Sequence, residues 1–192
     1  MNVLLMEPDW HHGYPEPSAG FGYIQQTFDM QTYCPCGLGK RQVAPFRMKR
    51  EPRWGRRSIL QLHWEFETFF VTPAAWERCF RPFGVEKMPV LNHRTGEELA
   101  SVVQLRIPEE TEAHVEGLRF RACERCGRRK YMPIDGCRFP GPKQVPAPLF
   151  HSIERFNDGA FRLVYVRMDL YGAIYAAGLK GAVFTETHWA HR

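Results

Sequence analysis

The chain has 192 residues, 44% of them hydrophobic and 14% aromatic, which is enough apolar surface for a packed core and excludes a wholly disordered chain. No apolar run approaches the ~20 residues that cross a bilayer, so we expect neither a transmembrane helix nor a membrane partner. The 26 Lys and Arg residues against 21 Asp and Glu residues give a net charge of +5, which is too small to indicate a dedicated nucleic-acid coat.

The six cysteines bear on the cellular compartment. The apolar run Val3-Leu4-Leu5-Met6 lacks the basic flank and the length of a signal peptide, so we expect a cytoplasmic protein. In that reducing compartment, cysteines act as metal ligands, buried thiols or redox groups rather than as structural disulfides.

The first elements follow an irregular start. Glycines and prolines across the first thirty residues predict a packed arm without regular structure. The basic segment 40–57 holds two prolines, which indicate a loop or an edge strand. Residues 59–71 are rich in aromatic and β-branched side chains and predict one or two strands.

A short helix and two strands come next. Thr72 before Pro73 predicts an N-cap, and the helix that starts there ends at Pro82 and Gly84. Segments 85–91 and 98–107 then predict two strands.

The acidic segment 108–116 predicts either a loop or a short surface helix. Four prolines within residues 140–148 indicate a stiff connection, which we take as an internal boundary. Residues 149–156 predict a helical turn, and residues 161–166 predict a strand.

The tail repeats the strand-helix-strand order. Asp169 predicts the N-cap of a helix over residues 170–177, and Gly178 predicts its left-handed C-cap. Residues 181–185 predict the last strand.

These elements predict an α+β fold: a mixed or antiparallel sheet with short flanking helices and a region of cysteines resembling zinc knuckles. Segments 71–91 and 166–186 share a faint repeat, which suggests two similar halves, although strand-helix-strand units also look alike without common origin. We expect an N-terminal region 1–139, a connection 140–148 and a C-terminal unit 149–192, within one compact domain.

Two cysteine pairs are the strongest chemical signal. Cys123 and Cys126 have zinc-knuckle spacing and are followed by Gly127, whose small size lets backbone N–H groups approach the thiolates. The earlier pair, Cys34 and Cys36, is also followed by a glycine but has one residue fewer between its thiols. If the pairs meet, the four thiolates close a tetrahedral shell around a structural zinc ion.

Three readings of these pairs remain open at this stage: a structural zinc site, a metal-free pair of loops, and a disulfide or redox centre. Cys79 is expected to be a buried thiol. Cys137 is expected to be buried as well, with a role as an alternative metal ligand in place of Cys34 or Cys36 left open.

No pattern indicates an enzyme. The sequence lacks an H-E-x-x-H frame, a phosphate-binding glycine loop and a G-x-S-x-G elbow. The paired acidic residues are expected to be solvated charges. Solvent exposure is also the expected state of the histidines near the ends of the chain, which are His11, His12, His188 and His191.

The two Cys-Gly loops, together with the tail Ala177-Gly178-Leu179-Lys180-Gly181-Ala182-Val183-Phe184, resemble the double-CxxCG motif immunity proteins of bacterial polymorphic toxin and contact-dependent competition systems. The resemblance covers the cysteine pairs and roughly the last forty residues. It implies a small cytoplasmic protein that binds one cognate toxin domain and neutralises it by occlusion, without turnover.

Such a role needs a binding face with a few aromatic or arginine anchors. The candidate face is the basic segment with Arg53, Trp54, Arg56 and Arg57, and the acidic segment 109–116 is a second candidate. The competing function is a zinc-ribbon nucleic-acid binder, since basic and aromatic residues flank both cysteine pairs, although the modest net charge makes nucleic acid the weaker expectation. A third reading is a metal-stapled enzyme with its site in an apolar cleft.

Overall fold

The computed structural model of the protein describes residues 3–9, 23–62, 65–136 and 138–188. Some of the sequence predictions lie outside these residues: most of the glycine- and proline-rich arm, the alternative ligand Cys137, and the histidines His11, His12 and His191. Within the described residues, no helix is long and apolar enough to span a membrane.

Strands dominate the described residues, and the helices are short, so the predicted α+β class is confirmed. The helices are α1 (Tyr23–Thr27), α2 (Pro73–Ala75), which continues through a π-helical turn (Trp76–Phe80) and a 3₁₀ turn (Arg81–Phe83), and α3 (Met168–Ala176). The strands are β1 (Val3–Pro8), β2 (Arg47–Met48), β3 (Ile59–Leu62), β4 (Glu65–Val71), β5 (Glu86–Asn92), β6 (Glu98–Arg106), β7 (Glu110–Thr111), β8 (Phe120–Ala122), β9 (Arg129–Tyr131), β10 (Leu149–Ser152), β11 (Arg155–Phe156), β12 (Val164–Arg167) and β13 (Ala182–Glu186).

The strands of the described residues form two five-stranded sheets and a smaller one. Sheet A has the order β13-β1-β12-β10-β7, and sheet B has the order β2-β5-β6-β4-β3. The small sheet has the order β11-β9-β8 and carries the second cysteine pair on the turn between β8 and β9. Most neighbours are antiparallel, but β7 with β10, β2 with β5 and β9 with β11 are parallel.

Sheets A and B share one arrangement of three adjacent strands. In sheet B, β6 lies between β4 and β5, is antiparallel to both, and a helical segment joins β4 to β5. In sheet A, β1 lies in the same way between β12 and β13, and α3 joins those strands. The N–H of Thr72 donates to the carbonyl of Ser58, and the N–H of Arg167 donates equivalently to that of Pro148. The two segments of the predicted repeat therefore follow the same path, while a common origin stays a prediction.

The two connecting helices end alike but differ by one residue in length. Each ends at a glycine with positive φ, Gly84 at 75° and Gly178 at 64°. The extra residue between Pro73 and Gly84 is accommodated by the π-helical turn, whose wider loops take up one more residue than an α-helical turn. The predicted N-cap is confirmed, since the Thr72 hydroxyl accepts from the N–H of Ala75 at 3.2 Å.

Two local predictions are wrong, and a third holds only in part. Residues 149–156 form β10 and β11 instead of a helical turn, and the acidic segment 108–116 is the predicted loop except at Glu110–Thr111, which form the edge strand β7. In both cases bonding to a neighbouring strand outweighs a weak local preference. Asp169 is not the N-cap, because Arg167 holds that position. The Asp169 carboxylate instead binds the guanidinium of Arg167 at 2.6 Å.

Other boundaries follow the predictions more closely. The segment 40–57 supplies β2 at the edge of sheet B, as predicted for an edge strand. The stretch 59–71 contains β3 and β4, and the strand predicted over 161–166 begins only at Val164.

One hydrophobic cluster joins the two halves. It contains Phe69 and Phe80 from the first half and Val166 and Ile174 from the second, all buried. The predicted burial of Cys79 is confirmed, and its Sγ lies 3.8 Å from the carbonyl oxygen of Ala173 on α3. The packing of the connecting helices is therefore shared between both sheets.

A second cluster lies beside the proline-rich connection 140–148. The buried hydroxyl of Tyr165 donates to the carbonyl of Pro140 at 2.9 Å, and Val145 and Ala147 pack against the cluster. The connection thus lies against the body of the fold. The division at residues 139 and 149 stays a prediction.

Gly181 holds the two halves together at a point where no side chain fits. Its φ is 111°, and a Cβ there would overlap the carbonyl oxygen of Ile59. The carbonyl of Lys180, the residue before Gly181, accepts hydrogen bonds from the N–H groups of Ser58 and Ile59 at 2.8 and 3.0 Å.

We expect Gly181→Ala to lower the free energy of unfolding by about 2 kcal/mol, because the new methyl group must displace this backbone contact from a strained φ. Denaturant unfolding measures the effect. Gly172→Ala is the matched control, since a Cβ at that helical position meets open space and is expected to stabilise slightly. Equal unfolding midpoints for the two variants would contradict this account.

Candidate metal centre

Two short loops, each ending in Cys-Gly, carry the predicted ligands. In the first, the N–H of Gly37 donates to the carbonyl of Cys34 at 2.8 Å, and in the second the N–H of Gly127 donates to that of Cys123 at 2.8 Å. Both glycines have positive φ, 88° and 68°, which suits a residue without a Cβ. The first loop has one residue fewer, so its turn closes one peptide earlier, and it still presents both cysteines to the second loop.

The four sulfur atoms converge on one point. The Sγ of Cys34 lies 3.9 Å from that of Cys123, the Sγ of Cys36 lies 3.9 Å from that of Cys126, and all four lie within 4.8 Å of one another. These distances exclude disulfide bonds, whose length is about 2.05 Å. Sulfurs arranged tetrahedrally at about 2.3 Å from a zinc ion lie about 3.8 Å apart. The cluster therefore has the composition and spacing to hold one metal ion.

The surroundings shift the pKa values of two of these thiols in opposite directions. Burial raises the pKa of Cys36 to about 12, against the opposing hydrogen bond from the backbone of Leu38. Hydrogen bonds from the backbone N–H groups of Cys126 and Arg125 lower the pKa of Cys123 to about 6. Metal ions bind the thiolate form, so both thiols must lose their protons when a metal binds.

Polar contacts tie the two loops to each other and to the small sheet. The guanidinium of Arg128 donates to the carbonyl of Thr32 at 3.0 Å, and the Thr32 hydroxyl donates to the carbonyl of Gly39 at 2.9 Å. Lys130 donates to the carbonyl of Asp158 at 2.9 Å. The loops therefore have anchors besides their sulfurs.

A buried ion network connects the small sheet to sheet B. The carboxylate of Glu67 on β4 is only 8% exposed and binds Arg155 at 2.5 Å and Arg162 at 3.1 Å. Arg162 also binds Glu110, and Arg155 donates to the carbonyl of Lys40 at 3.3 Å. One guanidinium thus links the central carboxylate to the chain that follows the first cysteine loop.

Glu67 and the neighbouring His151 have strongly lowered pKa values. Burial opposes ionisation of Glu67, but the guanidiniums of Arg162 and Arg155 outweigh it and hold its pKa at about 2. Burial, reinforced by Arg162, lowers the pKa of His151 to about 3. The ring lies between two backbone carbonyl oxygens, with Nδ1 3.2 Å from that of Ile107 and Nε2 3.1 Å from that of Glu67, and a neutral ring donates to one of the two according to its tautomer.

These shifts predict an acid-sensitive fold. Between pH 6.5 and about 3, His151 is protonated in the unfolded chain but not in the folded chain. Below pH 4.5, Glu67 also binds a proton in the unfolded chain that it does not bind in the folded chain. Stability is therefore expected to be complete above pH 6.5 and to fall as the pH decreases, by at most about 1.4 kcal/mol per pH unit for each proton.

His151→Gln should flatten this slope between pH 6 and 5, as measured by urea unfolding across that range. An unchanged slope in His151→Gln would show that His151 is not the group responsible.

The structure places the predicted partner-binding residues before β3. Arg53 and Arg56 are exposed, whereas Trp54 is half-buried and its indole N–H donates to the hydroxyl of Ser101 at 3.4 Å. Arg57 is half-buried beside Gly181. Their role in binding a partner stays a prediction.

The alternative acidic face is partly neutralised. Glu112 and Glu116 both bind Lys143, at 2.9 and 2.8 Å, and Glu110 binds Arg162. This face therefore presents less free negative charge than its sequence suggests.

Sequence reasoning missed the buried network of Glu67, His151, Arg155 and Arg162. One signal was available: Glu67 lies in β4 close to the apolar run 69–71, and a charged residue there needs a partner if its side chain points inward. The partners come from a distant segment, and nothing in their local sequence marks them.

Comparisons with known proteins give no further guidance on this site. No protein-family model matches the sequence, and no curated protein matches it either.

Proposed function

We propose that this chain is an immunity protein, which binds one cognate bacterial toxin domain and neutralises it by occlusion, and that a zinc ion held by Cys34, Cys36, Cys123 and Cys126 stabilises its fold. In this role the protein acts in the cytoplasm of the toxin-producing cell and catalyses no reaction.

The observation that supports the proposal is the convergence of four cysteine sulfurs from two Cys-Gly loops that are distant in the sequence. Four thiolates complete a tetrahedral zinc shell and leave no position for water or substrate. Such a centre joins segments of the chain, and it suits a protein that works as a rigid binding surface. The same two loops are the motif on which the resemblance to immunity proteins depends.

Occlusion of a toxin needs only a binding surface of ordinary size. An interface of roughly 800 Å² per partner, with a few anchoring side chains and a charged rim, is sufficient for tight and rapid binding. The shared core of sheets A and B gives such a surface a rigid support. Preorganisation of this kind limits the entropy lost on association.

The test is a pull-down of the tagged protein from lysate of its own cells, with nuclease added, followed by mass spectrometry. We expect a stoichiometric large protein whose C-terminal domain stops growth when it is expressed alone. Co-expression of this chain should then restore growth. Failure of co-expression to restore growth, or a captured domain that is harmless, would refute the proposal.

A zinc-ribbon nucleic-acid binder is the second candidate, and one observation favours it. On the hairpin of β8 and β9, the ring of Phe120 is 47% exposed, and the guanidinium of Arg129 lies 4.3 Å from its centre. An exposed aromatic ring beside basic residues is a platform on which bases stack. This function predicts binding to a generic oligonucleotide that weakens steeply with salt and is lost in Phe120→Ala.

A further inference from the structure

Two cavities adjoin each other between the small sheet and sheet B. The first has a volume of about 640 Å³ and reaches from Gln104 on β6 to His151. The second has a volume of about 540 Å³ and reaches to Gly39 and Gly127 beside the cysteine loops. Lys40, Arg41, Ile153 and Arg155 line both cavities, so we treat them as one basic groove.

The basic groove carries an excess of positive charge. Lys40, Arg41, Arg106, Arg155 and Arg162 line its first part, and Arg128 and Arg129 line its second part. The carboxylates along it are Glu67, Glu110 and Glu154.

Two of these carboxylates are already neutralised. Glu67 lies buried between Arg155 and Arg162, and Glu110 binds Arg162. At the rim, Arg41 and Arg106 are exposed, and Arg106 binds Glu86, which lies at the protein surface with 61% of its side chain exposed. An acidic ligand can therefore approach these two guanidiniums without first displacing a buried ion pair.

An apolar contact point lies where the two cavities meet. Ile153 is 53% exposed, although it follows the fully buried Ser152 of β10. Its backbone is held in place, since its N–H donates to the carbonyl of Thr111 at 2.9 Å. A fixed, exposed isoleucine surrounded by cations can accept an apolar side chain from a ligand that is otherwise acidic.

We propose that the basic groove binds an acidic segment of a partner protein, with carboxylates on Arg41 and Arg106 and one apolar side chain on Ile153. This inference rests on the proposed function, because it takes the partner to be a protein toxin. It assigns the toxin contact to this groove, whereas the sequence pointed to the segment with Arg53 and Arg56. Charge complementarity of this kind also speeds the capture of the partner.

The composition of the groove favours a peptide over a nucleic acid. A phosphate backbone carries negative charge at every step, so it cannot leave a neutral position opposite the carboxylate of Glu154 in the groove. A peptide can alternate acidic and apolar side chains, and so it complements both the cations and Ile153.

The test uses fluorescence anisotropy with a labelled short peptide of Asp and Glu residues that has one central leucine. The same peptide with serine in place of leucine and a single-stranded oligonucleotide of equal charge serve as comparison probes. The groove variant is Arg41→Glu with Arg106→Glu, and the matched variant is Arg53→Glu with Arg56→Glu, which makes the same change in net charge at exposed positions.

We expect the groove variant to bind the leucine peptide about tenfold more weakly and the matched variant to lose less than about twofold. Ile153→Ser should remove the preference for the leucine peptide over the serine peptide. Circular dichroism of each variant checks that the fold is retained.

The proposal is overturned if both double variants lose affinity equally, if the wild-type protein binds neither peptide, or if it binds the oligonucleotide more tightly than the leucine peptide. These probes do not require the toxin. A failure here therefore removes the groove as the binding site, and only the pull-down and co-expression experiments decide whether the protein neutralises a toxin.

Discussion

Cys123→Ser is expected to abolish tight metal binding and to cause the largest loss of stability of any single change discussed. The sulfur of Cys123 lies 3.9 Å from that of Cys34 and within 4.8 Å of the other two ligands, so its loss leaves three thiolates on the metal. Structural zinc contributes about 10–16 kcal/mol to the folding of isolated zinc fingers. Here the loops have other anchors besides the metal, so we expect a smaller loss than in zinc fingers, of at least about 3 kcal/mol in the free energy of unfolding.

Two measurements check this result. The zinc content of the purified protein should fall from one equivalent to near zero in Cys123→Ser, and the loops that hold the cysteines should become sensitive to protease. A chelator should reproduce both effects in the wild-type protein.

The chain offers matched controls for the cysteine variant. Cys79→Ala also removes a cysteine, but its sulfur lies against α3, so zinc content should be unchanged despite a modest loss of stability. Cys137→Ser should likewise keep its zinc, because four other sulfurs already converge. Wild-type zinc content in Cys123→Ser, or zinc loss in Cys137→Ser, would contradict the assigned ligand set.

Glu67→Gln is expected to have the second largest effect, a loss of about 3 kcal/mol in the free energy of unfolding. The substitution leaves Arg155 and Arg162, whose side chains are only 12% and 19% exposed, without the charge that compensates both of them. Breaking a buried ion pair from one side typically costs about 3–5 kcal/mol.

Denaturant unfolding at neutral pH, compared with two further variants, measures this loss. Glu86→Gln removes an exposed partner of Arg106 and should cost less than about 1 kcal/mol. Adding Arg162→Met to Glu67→Gln should recover part of the stability, since it removes one of the two buried cations that the Glu67 carboxylate compensates. Equal effects of Glu67→Gln and Glu86→Gln would show that the buried network does not contribute to stability.

Much of the fold could be predicted because its signals are local. The N-cap at Thr72 and the glycine at the end of α3 are set by hydrogen bonds within one helical turn, and both are confirmed. The strand over residues 98–107 is confirmed as β6 for the same reason, since its composition alone favours extended backbone.

The wrong predictions come from pairing between distant segments. Residues 149–156 lack a strong local preference and become strands because β10 lies between β12 and β7 and β11 pairs with β9. The acidic segment enters the sheet because β10 offers it a parallel edge. Neither neighbour is visible from the segment's own sequence.

The candidate site divides in the same way. The cysteine loops could be recognised because spacing and a following glycine are a local requirement of metal-binding turns. The network of Glu67, Arg155 and Arg162 could not, because a buried charge is identified by partners that only the folded chain brings near. The basic groove also depends on tertiary structure, since its cations come from separate segments.

A native mass spectrum of the tagged protein, purified from its own cells, tests the central claim most directly. The account predicts a one-to-one complex with a second polypeptide whose isolated domain is toxic, and a mass on this chain that corresponds to one zinc ion. A metal-free chain that carries nucleic acid and no protein partner would contradict it.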